Sequence, residues 1–224
     1  MKHVSKTMTV ASIILLVAFS ACKKNNPEKD VGKSKFDINN PVGYFVYLKM
    51  ANDDGTWIIP TIMEFMPGKT LKHYTAMASQ TYSYEVIDGN VINLVGLNYR
   101  FVIEDGKITT EVARFKEVAL LKAEETNQLA GKTFAGIYYK PDGSVLHPNF
   151  FYNFSGNENK VGAGLKTGTV IRTENYTSIG NIAAVAAIPG NEDKEFMVLV
   201  NGKLEVSYYQ KNPYSEYYGS FSPQ

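Results

Sequence analysis

Cysteine occurs once in this 224-residue chain, at Cys22. No internal disulfide can form, and thiol chemistry and cysteine-ligated metal are excluded as well. Burial and strand pairing must therefore hold the fold. Histidine is almost as scarce. Beyond His3 there are only His73 and His147, each alone in its segment, whereas a zinc site needs three or four convergent ligands. No metal or other cofactor is expected. Charge of one sign is also missing, since 23 basic side chains face 22 acidic ones, and nothing points to a nucleic-acid partner. No Gly-x-Ser-x-Gly elbow for a hydrolase serine is present. Gly162-Ala163-Gly164-Leu165-Lys166-Thr167-Gly168 fits neither phosphate-binding pattern and reads as a turn between strands. Long hydrophobic runs are lacking too. The most apolar stretch, Val10 to Phe19, has 10 residues, about half of what a bilayer-spanning helix needs.

What is present begins at the N-terminus. Lys2, His3 and Lys6 precede that apolar run, and Ser20-Ala21 stand directly before Cys22, the layout of a cleaved export signal over residues 1–21. Ala18-Phe19-Ser20-Ala21-Cys22 resembles the lipobox of bacterial lipoproteins, with Phe19 where Leu is usual. The resemblance implies lipidation of Cys22 by fatty acyl chains such as palmitate. It also implies that the mature protein starts there, attached to a membrane through its N-terminal lipid. Several acyl chains anchor stably, at about 0.8 kcal/mol per buried CH₂. Residues 22–40 are polar apart from Val31, Phe36 and Ile38 and read as a flexible tether.

From residue 41 the chain repeats itself. Val42-Gly43-Tyr44-Phe45, Asp54-Gly55, Pro60 and Gly68 recur 88 residues later as Ala130-Gly131-Lys132-Thr133, Asp142-Gly143, Pro148 and Gly156. Gly89-Asn90 returns as Gly180-Asn181, and Asp105-Gly106-Lys107 returns as Asn201-Gly202-Lys203. Such turn pairs between apolar runs supply the positive φ angles of tight hairpins. The reading is all-β, with two tandem antiparallel meanders, residues 41–116 and 129–224, forming a barrel or two packed sheets or barrels. Strands are expected at 43–51, 56–66, 70–77, 80–87, 90–96, 99–104 and 107–115. The second copy should follow at 132–140, 144–154, 159–165, 169–177, 181–188, 195–200 and 203–210. The connecting segment 117–128 fits either a last strand or a short helix. Tyr208, Tyr209, Tyr214, Tyr217 and Tyr218, with Phe221, suit a last strand closing a sheet, or else a sugar-stacking or protein surface.

Tyr84-Glu85-Val86-Ile87-Asp88-Gly89-Asn90-Val91-Ile92-Asn93-Leu94 resembles the hairpins of lipocalin-like lipoproteins of Gram-negative bacteria. The likeness covers some 50 residues in each copy. The Gly-x-Trp of true lipocalins is absent, since Tyr44 and Phe45 follow Gly43.

Side chains along a strand alternate between faces. With the copies aligned at 88, Leu146, Phe150 and Phe154 answer Ile58, Ile62 and Met66 as the core face. Trp57, Met63 and Phe65 then fall on the opposite face, expected to point away from their own meander. A strand apolar on both faces must be covered, by the second copy, the connecting segment, a ligand or a partner. Together these features describe a non-enzymatic, lipid-anchored protein of the cell envelope, placed at the outer membrane. It would bind a small hydrophobic or glycan ligand or a protein partner, with Trp57, Met63 and Phe65 as candidate binding residues. The alternatives are an accessory subunit of an outer-membrane complex docking through that face, and an envelope hydrolase with carboxylates assembled by the fold. An apolar-walled cavity would favour the first reading, a flat apolar patch the second, and two buried carboxylates facing one cleft the third.

Overall fold

The computed structural model describes residues 36–51 and 58–224. Cys22 and Trp57 lie outside them. Eight strands form the first sheet: β1 (Tyr44–Ala51), β2 (Ile58–Met66), β3 (Thr70–Tyr74), β4 (Ser79–Ile87), β5 (Val91–Leu94), β6 (Tyr99–Glu104), β7 (Lys107–Thr109) and β8 (Phe115–Lys122). Each pairs antiparallel with its neighbour in sequence up to β7, and β8 returns to pair with β1, so the barrel is nearly closed. The second copy repeats this order with β9 (Thr133–Tyr139), β10 (Val145–Phe154), β11 (Lys160–Gly164), β12 (Arg172–Ile179), β13 (Ala183–Ala187), β14 (Lys194–Val200), β15 (Lys203–Gln210) and β16 (Ser215–Pro223). There β16 pairs with both β15 and β9, and the barrel closes fully. The hairpin turns use the residues expected of them. Asp88-Gly89 and Asn201-Gly202 both have positive φ, at 52° and 76° and at 50° and 78°, the conformation of a two-residue turn that matches strand twist.

Three expectations are corrected. Of the two readings of 117–128 the last strand holds, so it is not a separate connector: Phe115–Lys122 is β8, whose Val118 and Leu120 pack on the first core. The first repeat therefore runs past 116. The end of the tether is also structured, because Phe36 and Ile38 pack against that core, and the Phe36 ring lies 5.1 Å from Tyr44 and 6.0 Å from Phe65.

The third correction concerns Met63 and Phe65, which face the interior of their own barrel, each 1% exposed and packed with Val46, Leu48, Leu71 and Phe101. The face that points away carries Ile62, buried against Phe196, Val198 and Ile182 of the second barrel. The cause is a one-residue slip. Val46 pairs with Met63, and its counterpart Phe134, 88 residues on, pairs with Tyr152, which is 89 residues beyond Met63. Because the side-chain period is two, one residue exchanges the faces of the whole strand. Strand β2 is indeed apolar on both faces, and the second copy covers the outer one.

Candidate functional site

Strand alternation decides which side chains enter the second barrel. Tyr176 belongs to its core, so Arg172 and Glu174, four and two residues earlier on β12, point inward as well. Met197 places Glu195 inward on β14 by the same rule, while Tyr138 on β9 and Tyr152 on β10 are core residues. These five meet. Arg172 donates from Nη2 to Glu195 Oε1 at 2.6 Å and from Nη1 to Glu174 Oε1. Glu195 Oε1 also accepts from Tyr152 at 2.8 Å and from Tyr138 at 3.1 Å, and the two tyrosine hydroxyls touch. Glu174 Oε2 and Glu195 Oε2 are buried, and apart from the hydrogen bond between the two carboxyl groups themselves neither has a partner.

Burial sets the protonation of this cluster. It pushes the Glu174 carboxyl up to about 8; Arg172 opposes that rise and Glu195 adds to it. Burial alone would lower Arg172, but Glu195, then Tyr152 and Glu174, outweigh it and hold the guanidinium above its ordinary range. Tyr138 and Tyr152 are driven well up by burial and then by the Glu195 charge, so both keep their protons.

Above the cluster a cavity of about 340 Å³ opens at one end of the barrel. Its floor is Tyr138, Arg172 and Glu195, and its walls are Leu146, Phe150, Ile188 and Tyr208. Leu165 and Ile171 form the lip, 48% and 60% exposed. His147 stacks on Phe150 with ring centroids 5.8 Å apart, and burial lowers its pKa, so it stands there neutral. Behind the wall the Tyr208 hydroxyl donates to Asp193, whose Oδ1 accepts the Lys211 amide at 2.9 Å. That staple fixes the loop after β13 to the end of β15.

The carboxylates are buried and Glu195 faces the cleft, yet both Oε1 atoms bind one guanidinium. Glycoside hydrolysis needs two carboxyl groups on opposite sides of the scissile bond. Here one guanidinium, Arg172, is paired with both.

Of the expected site residues, Met63 and Phe65 lie in the first barrel's core and are not among the residues lining this cleft. His73 is in that core's barrel as well, with a buried Nε2 lacking a partner, and burial lowers its pKa to about 4. The tyrosine-rich end divides: β16 closes the barrel, and Tyr208 reaches the cavity wall. The five residues of the polar floor were not singled out from sequence. A signal was there, in Arg172-x-Glu174 on alternate positions of a strand whose next inward residue is Tyr176. In the first barrel the same register positions are Gln80, Tyr82 and Tyr99, so the acidic pair belongs to the second copy alone. Comparison of the chain with protein-family models, with curated proteins and with solved structures found no match.

Proposed function

We propose that this is a lipid-anchored cell-envelope protein, attached at Cys22 and placed at the outer membrane, whose second barrel binds a small amphipathic ligand without transforming it. The observation that carries the reading is the cavity, about 340 Å³ with apolar walls over one polar floor, the size and composition of small-molecule sites. The closed, hydrogen-bonded barrel supplies a preformed binding site, which reduces the ordering cost of association. Docking through Met63 and Phe65 loses its basis, because both are interior.

The neutral dye N-phenyl-1-naphthylamine tests the reading. Its fluorescence should rise saturably with the protein, and Leu146→Trp, which fills the cavity from its wall, should weaken binding by tenfold or more. Saturable binding that Leu146→Trp leaves unchanged would place the site elsewhere. For the anchor, cells fed radioactive palmitate should label the natural chain and not Cys22→Ala.

A further inference from the structure

We propose that the second barrel's cavity selects a ligand with a protonated amine head and an apolar tail, the ammonium settling on Glu195. This rests on the cavity being a binding site and names the class of ligand it takes. Four observations converge on it. Glu195 lines the cavity, its side chain is 1% exposed, and its buried Oε2 has no donor besides the neighbouring Glu174 carboxyl. Once Glu174 gives up its proton that acceptor is left open, and a ligand N–H would satisfy it. Two carboxylates share one guanidinium, so with both ionised the cluster has one negative charge too many. A cationic head balances that excess, whereas a fatty-acid carboxylate would be a third anion beside an arginine already engaged at both ends. Tyr138 on the floor and Tyr208 on the wall add aromatic rings, and aromatic faces attract cations. His147, at the rim, is neutral and adds no competing charge.

The empty site balances its charge with a proton. Facing Glu174 and Glu195 are Arg172 from β12, Tyr138 from β9, Tyr152 from β10 and Tyr208 from β15, with Asp193 bonded to Tyr208. Burial raises the Glu174 carboxyl to about 8, so it holds a proton near neutrality. When the ammonium binds Glu195, Glu174 releases its proton to solvent and the cluster stays neutral. One proton leaves for each cation that arrives, and no covalent bond changes in the ligand.

The test uses the full-length protein and three water-soluble six-carbon probes, hexylamine, 1-hexanol and hexanoate, each competing with N-phenyl-1-naphthylamine at pH 7. Hexylamine should displace the dye at least tenfold more tightly than 1-hexanol, and hexanoate should be the weakest. Calorimetry in phosphate and in Tris should show close to one proton released per hexylamine. Glu195→Gln should lose the preference for hexylamine over 1-hexanol; Glu174→Gln should abolish proton release. Hexanoate binding as tightly as hexylamine, or hexylamine binding with no proton released, would overturn the proposal while dye binding stands. Failure of the dye itself to bind would remove the cavity as a site altogether. If Glu195→Gln does not fold, the ranking of the three probes on the natural protein decides alone.

Discussion

Arg172 is the side chain on which the second barrel's interior polar network depends. It is paired with Glu174 and Glu195, whose side chains are 0% and 1% exposed. Breaking a buried ion pair costs about 3–5 kcal/mol, because the remaining charge is left without compensation. Arg172→Leu should therefore lower stability by roughly that amount at pH 7. The loss should shrink as pH falls toward 4, since the Glu174 carboxyl, raised by burial, is penalised only where the unfolded chain ionises it. Urea unfolding at the two pH values checks this. His73 works in the other direction. Its pKa is depressed by burial to about 4, so between there and the ordinary histidine value only the unfolded chain takes up the proton. Stability tied to His73 is whole above pH 6.5 and declines as pH drops through that window, by roughly 3 kcal/mol at its lower end. His73→Leu should flatten the acid limb of the stability profile, and an unchanged limb would show that His73 is protonated in the fold.

At the scale of strands, turn chemistry made the meander legible, because Asp-Gly and Asn-Gly pairs fix hairpins locally. What alignment of the copies did not carry was register. The extra residue that moves β10 relative to β2 leaves Pro60 and Pro148 aligned in sequence while their strands expose opposite faces. Side-chain chemistry at positions 63 and 65 is equally apolar for either face, so only the pairing partner distinguishes them. Phe65→Ala should consequently cost about 3–5 kcal/mol, the penalty of a cavity in a packed core, measurable by thermal or urea unfolding. A loss below 1 kcal/mol would return Phe65 to the surface. The closing seam of the second barrel has its own requirement. A Cβ on Gly136 would run into the Ser220 carbonyl oxygen and lie 2.9 Å from Phe221. Gly136→Ala should open the β9–β16 pairing, seen as faster amide exchange at Tyr138 and Phe221.

Over the whole molecule the two barrels share a third core. Phe45, Tyr47 and Ile62 of the first meet Phe196, Val198 and Val200 of the second. At its edge Lys49 bridges Glu117 of its own sheet and Glu205 of the other barrel, at 3.1 Å each. The tandem architecture could be read from the repeated turns. The seam could not, and the polar floor only through Arg172-x-Glu174 on β12, since Tyr138, Tyr152 and Glu195 are distant in sequence and ordinary in composition until the fold brings them to that pair. The copies have diverged in chemistry while keeping one strand order: Tyr99, Tyr82 and Gln80 stand where the second barrel has Glu195, Glu174 and Arg172. Ligand binding should accordingly be confined to the second barrel. Methyl NMR of the protein titrated with N-phenyl-1-naphthylamine tests this most directly. Saturable shifts are expected at Leu146, Leu165, Ile171 and Ile188, with Ile92, Leu94 and Ile103 of the first barrel unmoved; no saturable shift at the former set, or equal shifts in both barrels, would contradict the account.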